Sequence, residues 1–588
     1  MRSFLKIFFA SFLATLVFAG ICLVILLVFV TGLTSRPATV VSSKSVLVID
    51  LSQNFSDRKT ENPIVRISGD KDAEIPSLYE LIRLVRKAAT DSSIRGIYLK
   101  CNSNANGFAS SEELRNVLLE FKKSRKFILA YGDYISQKAY YVANAADKIY
   151  CNPKGSLDWR GFTSQLFFIK QTLQKLEIQP QIFYDGKYKS ATEPLREVKM
   201  SDANRYQTEI WLGELYQQLL VNTAEARGID TTTLHRYANE YRVQTAADAL
   251  RYGLVDGLKY DDEVKDELAL KLGLQKNSRI SFILPGSYAD AVSIRKFGTM
   301  DRVAVIYAEG DIVYGRGEFG QIGSDEYRNL IRKARTDRSI KAIVLRVNSP
   351  GGSSLASEII WRELSLAAKD GKPVVVSMGD LAASGGYYIS CGADSIFAQP
   401  NTITGSIGVF GIIPNMQGFF NKKLGVTFDQ VKTGPYADMG SVTRPLTDVE
   451  KKFIQNEIDT IYRDFKSRVA DGREKDISYI DSIAQGRVWT GKGALKMGLV
   501  DRLGSLDDAI ACAARMAKIS DYGLREYPEP RSLWDILMSG YQKTVRTEAI
   551  QEELGEQGFR IYQHIKRVKA MSGTAQARLP FDIMIDEK

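Results

Sequence analysis

The chain has 588 residues, too many for one hydrophobic core, and its 44% apolar and 25% charged composition reads as a water-soluble globule of two or more domains. Its net charge of +10 is spread along the chain rather than gathered in a basic stripe with interleaved aromatics, so no nucleic-acid partner is expected; solvated faces near anionic lipid accommodate it. Five cysteines without a CxxC or zinc spacing point to buried free thiols and no metal site, and two histidines make a Ser-His-Asp site improbable by inventory.

In chain order, a short tail (1–6) carries Arg2 and Lys6. Residues 7–33, "IFFASFLATLVFAGICLVILLVFVTGL", follow without a charge, long enough to cross a bilayer with some tilt. "VFA" at 17–19 offers a rival signal-peptide cleavage site, but the apolar run continues beyond it to Leu33. A retained transmembrane anchor is therefore expected, with the lipid bilayer as a partner. Basic residues on its two sides, Arg2 and Lys6 against Arg36 and Lys44, nearly balance. The very short N-terminal tail favours a cytoplasmic N-terminus and an exported domain.

Beyond the anchor the chain repeats itself. "LVRKAATDSSIRGIYLK" at 84–100 and "LIRKARTDRSIKAIVLR" at 330–346 share ten of seventeen residues. "GDYISQKAYYVANAADKIYCNP" (132–153) matches "GDLAASGGYYISCGADSIFAQP" (379–400), and "ALRYGLVDGL" (249–258) matches "ALKMGLVDRL" (494–503), all at nearly one offset. Duplicated domains over 40–275 and 296–520 follow. In the second copy "RVAVIYA" (302–308), "AIVLRVN" (342–348) and "PVVVSMGD" (373–380) read as strands covered on both faces. Residues 324–337 and 355–371 read as amphipathic helices between them, the second stopped by Gly371. The alternation predicts an α/β fold with a largely parallel sheet and right-handed crossovers in each copy. The tail, 521–588, is expected to lie outside the repeat, helical and then irregular.

Three differences between the copies carry chemistry. Ser384, between a strand and a helix in "AASGGYYIS", is Gln137 in the first copy. "NSPGGS" (348–353) becomes "NSNANG" (102–107). Paired glycines after a strand let backbone N–H groups approach a ligand, so Gly352 and Gly385 are candidate oxyanion donors; a tight turn explains the glycines equally. Conversely Lys189, in "DGKYKSATEP", aligns with Ala437 of the second copy. One copy thus holds a hydroxyl and a glycine turn, the other a lysine. His235 reads as a helix residue and His564 lies in the tail, so neither suits Ser384. A lysine replaces histidine as base if burial lowers its pKa from about 10.4 towards about 7–8. Lys187, two residues away on the other side of an extended segment, is the competing candidate.

With these motifs, and with "TITGSIGVFG" (402–411), the chain resembles the long bacterial signal peptide peptidases of the SppA, or protease IV, type, over nearly its whole length. The resemblance implies two tandem Clp-protease/crotonase-like repeats behind an N-terminal transmembrane helix. It implies a serine endopeptidase with a Ser-Lys dyad divided between the repeats: Ser384 as nucleophile, Lys189 as general base, Gly352 and Gly385 as oxyanion donors, and Ser406 orienting the lysine. It also implies no cofactor, peptide substrates such as signal peptides, a homotetramer whose dyads join within or between protomers, and a bacterial inner-membrane location facing the periplasm. Two other readings share parts of the pattern, a crotonase-type acyl-CoA enzyme and a non-catalytic membrane scaffold. The anchor and the Ser384/Lys189 pair count against the first, and the retention of both residues in opposite copies counts against the second.

Overall fold

The continuous apolar runs of both halves form buried parallel strands. The computed structural model describes residues 2–34, 41–59, 71–293, 300–529 and 574–579. In the first half β1 (Ser45–Asp50), β2 (Ile94–Lys100), β3 (Phe127–Ile135) and β4 (Lys148–Leu157) run parallel. β5 (Gln179–Asp185) leaves this sheet, while β6 (Gly257–Leu258) and β7 (Phe282–Ile283) close its edges in the order β6-β4-β3-β2-β1-β7. Helix Leu78–Thr90 shows how a crossover forms. Ser77 caps it by accepting the Glu80 N–H, and Leu78, Leu81, Ile82 and Val85 fall on one face and are buried.

The second half repeats the plan through β8 (Arg302–Glu309), β9 (Asp311–Val313), β10 (Gln321–Gly323), β11 (Ile340–Ser349), β12 (Gly351–Ser353) and β13 (Val374–Ala383). β14 (Ser395–Ala398), β15 (Ile403–Gly405), β16 (Val409–Asn415), β17 (Val488–Thr490), β18 (Arg502–Leu503), β19 (Gly523–Tyr527) and β20 (Gln576–Arg578) follow. Its main sheet runs β17-β15-β13-β11-β8-β19, with β14 and β18 branching from β13. Even the register repeats: Leu381 faces Ile403 as Tyr134 faces Ser156.

A third sheet, β10-β9-β12-β20-β16-β5, joins the halves. β5 of the first half runs antiparallel to β16 of the second, from Asp185 opposite Val409 to Gln179 opposite Asn415. A strand given to the other half sends the residues after Asp185 into it. A buried ionic cluster makes a second joint. Arg346 on β11 pairs with Asp57 and with Glu113, each at 2.8 Å. Asp380 on β13 accepts the Ala109 and Ser110 N–H groups at 2.8 and 3.0 Å, occupying the N-terminus of helix Phe108–Lys122. Burial pushes the Glu113 carboxyl up to about 7 and raises that of Asp380.

Only short pieces of the tail are described. Among them Gly523–Tyr527 and Gln576–Arg578 are strands. β19 pairs parallel with β8 at the sheet edge that β7 occupies beside β1, so each repeat runs on to a closing edge strand. Most of the tail, 530–573 and 580–588, lies outside the described residues. At the other end, a helix spans Arg2–Thr34, and Phe4, Ile7, Phe8, Phe9, Phe12 and Leu13 are exposed on it. The side chains described along it end at Val24; among the described residues no helix is long and apolar enough to cross a membrane. Cys101, Cys151, Cys391 and Cys512 are free and buried.

Candidate active site

Ser384 follows β13 and stands at the N-cap of the short helix Gly385–Tyr388. Its φ of 55° is uncommon for a residue with a side chain, and the turn is held by the Ser384 N–H donating to Gly405 O at 2.8 Å. The residue is wholly buried.

Lys189 arrives from the first half. β5 pairs with β16, the chain turns at Gly186, and Tyr188 N–H donates to Gln485 O at 2.7 Å. The loop is also gripped from helix Asp202–Arg227: Gln207 Nε2 donates to Tyr188 O at 3.1 Å, and Gln207 Oε1 accepts the Val488 N–H at 3.2 Å. The lysine Nζ comes to 2.9 Å from Ser384 Oγ, 3.1 Å from Ser406 O and 3.1 Å from Ser406 Oγ. Only 1% of Lys189 is exposed, and burial alone drives its pKa well below 10.5. In its uncharged form, which desolvation favours, the amine has two N–H groups and one lone pair. The two donors suit Ser406 O and Ser406 Oγ, which leaves the lone pair for the Ser384 hydroxyl. Lys187 points elsewhere: it is exposed, its ammonium 5.7 Å from the Tyr188 ring centroid.

Gly352 on β12 and Gly385 meet beside the serine. A Cβ built on Gly385 would stand 3.1 Å from the Gly352 nitrogen, and one on Gly352 would stand 2.0 Å from Ile312 O. Neither position has room for a side chain. Ser406, also at positive φ (49°), is wholly buried, its N–H donating to Arg487 O at 2.6 Å. The structure therefore gathers Ser384, Lys189, Gly352, Gly385 and Ser406 within one chain.

The other candidates stay apart. His235 is exposed beside Tyr216 and Asn239, Ala437 lies in an exposed turn, and His564 is outside the described residues. In the first copy the matching place is plugged. Gln137 Nε2 donates to Gly161 O at 2.9 Å, where Ser384 Oγ approaches Gly408 O. Trp159, in the position of Ser406, is buried and donates to Leu234 O at 2.9 Å.

Gly486 escaped the sequence reading. A Cβ there would lie 2.7 Å from the Lys189 nitrogen and Cβ, and its φ is 74°. Its counterpart in the first copy is Tyr241, so the same rule of disagreeing copies marks it.

Residues 120–275 and 367–520, more than half of the chain, match peptidase family S49. Protease 4 of Salmonella typhi is 38% identical over 532 residues, covering 89% of this chain and 85% of that one. Protease 4 of Haemophilus influenzae is 31% identical and covers 92% of each chain. The chloroplastic serine protease SPPA of Arabidopsis thaliana is 33% identical, covering 80% of this chain and 70% of that one. A doubled family match over the two repeats that frame a buried serine, with long alignments to named proteases, shows that this chain belongs to peptidase family S49 and is a serine protease.

Proposed function

We propose that Ser384 is the nucleophile and Lys189 the general base of a membrane-anchored endopeptidase that degrades signal peptides and other extended apolar peptides. The observation that carries this is the 2.9 Å approach of a buried amine, its pKa lowered by desolvation, to a buried hydroxyl from the other repeat. As Ser384 Oγ attacks a peptide carbonyl carbon, its proton passes to Lys189 Nζ. The Gly352 and Gly385 amides receive the oxyanion, each worth roughly 2.7–4 kcal/mol by analogy with other enzymes. Nζ returns the proton to the leaving nitrogen, the C–N bond breaks, and water hydrolyses the acyl-enzyme. Ser406 positions Nζ through its carbonyl and hydroxyl.

The substrate class is supported by relatives, including one from Enterococcus faecium named a putative signal peptide peptidase SppA. The anchor is supported by the uncharged run 7–33 and by the exposed aromatic and aliphatic side chains along the helix Arg2–Thr34. It places the catalytic repeats on the outer side of a bacterial inner membrane, near peptides left there by processing. Assembly as a homotetramer fits the exposed apolar residues Leu424, Val426, Phe428 and Val431. Casein hydrolysis by the detergent-purified chain tests the chemistry. Ser384→Ala and Lys189→Ala should each abolish it with the circular-dichroism spectrum retained; full activity in folded Lys189→Ala refutes the assigned base.

A further inference from the structure

The turn that carries Lys189 is anchored by a carboxylate that the chemistry above does not use. Ser190–Thr192 form a 3₁₀ turn, closed by the Glu193 N–H donating to Ser190 O, and Glu193 itself is buried. Its side chain reaches the start of helix Asp202–Arg227. Glu193 Oε1 accepts the Ser201 hydroxyl at 2.5 Å, and Oε2 accepts the Ser201 N–H at 3.2 Å and Asn204 Nδ2 at 2.9 Å.

The second copy starts the corresponding helix with local residues alone. There Thr447 caps Asp448–Gly472, and Glu450, three residues on, accepts both the Thr447 N–H and the Thr447 hydroxyl in a capping box. In the first copy Ser201 is the cap and the third residue on is Asn204, so the carboxylate comes from Glu193 on the lysine turn instead. A helix start needs such a carboxylate; only the anchoring of the turn needs it to come from Glu193.

The same carboxylate sets the direction of two amides. The Glu193 oxygen facing Asn204 accepts, so Asn204 turns Nδ2 towards it and Oδ1 away. Oδ1 then accepts Ser190 Oγ at 2.9 Å and Gln207 Nε2 at 3.2 Å. Gln207 Nε2 also donates to Tyr188 O at 3.1 Å. The residues on both sides of Lys189, Tyr188 and Ser190, are thus held by amides aligned from Glu193. Ser190, Asn204 and Gln207 are buried, so a partner lost there leaves a polar group unsatisfied.

We propose that Glu193 is a positioning residue for proteolysis: through Ser201, Asn204 and Gln207 it fixes the turn that keeps Lys189 Nζ within reach of Ser384 Oγ. This rests on the assignment of Lys189 as the base. Glu193 acts on the reaction only through that lysine.

Steady-state kinetics of Glu193→Ala on a short peptide test this, with fluorophosphonate labelling of Ser384 and thermal unfolding on the same samples. Glu193→Ala is expected to melt lower than wild type and to lose about 10–10²-fold in kcat, the effect of a misplaced reacting group, with KM little changed. Labelling should slow by a similar factor yet still reach every folded chain. Asn204→Glu in that background rebuilds a local capping box like that of the second copy. It should restore the melting temperature and leave kcat low, because the lysine turn stays untied. Recovery of kcat together with the melting temperature would make Glu193 a helix cap alone and overturn the inference. Wild-type kcat in folded Glu193→Ala also overturns it, as does labelling that is fast but incomplete; the single variant therefore decides the matter even where the double variant does not fold. Lys189→Met in the same assay separates the two claims. An inactive Lys189→Met beside a fully active Glu193→Ala removes only this inference, whereas wild-type activity in Lys189→Met removes the base assignment and this inference with it.

Discussion

In the proposed mechanism Lys189 serves as a base because it is buried away from water. No carboxylate contributes to its lowered pKa; the cause is desolvation. The unfolded chain therefore binds more protons than the folded one between the lowered value and 10.5, and stability rises with pH across that window. Lys189→Met removes this cost while filling similar space. Its melting temperature should exceed that of wild type at neutral pH, and the gap should close as pH approaches 10.5; calorimetry across pH checks the sign. Activity should move oppositely, falling about 10²–10⁴-fold in a kcat/KM comparison, the usual contribution of a general base. Both partners were legible in the sequence because the copies disagree there, Ser384 against Gln137 and Lys189 against Ala437. The contact of Lys189 with the Ser406 carbonyl was not, since it depends on a positive-φ turn after β15.

At the scale of elements, the antiparallel pairing of β5 with β16 delivers the lysine. Parallel strands could be read from their unbroken apolar runs, as in β8, β11 and β13. β5 could not be assigned to the other half's sheet, because pairing between distant segments leaves no local periodicity. β19 and β20 escaped for a related reason: five and three residues are too short to show a period. The Lys189 loop depends on Gly486, where φ is 74° and an added methyl would meet Lys189 backbone. Gly486→Ala should displace Nζ and lower kcat at least tenfold with little change in KM for a short peptide. Unchanged kcat in a folded Gly486→Ala variant would show that the loop tolerates the shift.

Across the whole molecule, the two repeats are held in the relation the proposed dyad needs by a buried charge cluster as well as by shared strands. Arg346 there neutralises Asp57 and Glu113, whose carboxyl sits at about 7. Removing one partner of a buried pair costs about 3–5 kcal/mol, so Arg346→Ala should unfold at distinctly lower urea at pH 8. Glu113 has a raised folded pKa; its favourable contribution is complete below 4.5 and is lost as pH rises through about 7. The cost of Arg346→Ala should therefore shrink at pH 5, where the protonated Glu113 carboxyl needs no guanidinium, and an equal cost at both pH values would argue against the cluster's role. The central claim, that an uncharged Lys189 takes the Ser384 proton across the repeat boundary, is tested most directly by the pH dependence of fluorophosphonate labelling of Ser384. The account predicts labelling that rises with pH through an inflection well below 10.5 in wild type and that is slowed at least 10²-fold, with that inflection gone, in folded Lys189→Met. Labelling at the wild-type rate in that variant, or an inflection near 10.5, would contradict it.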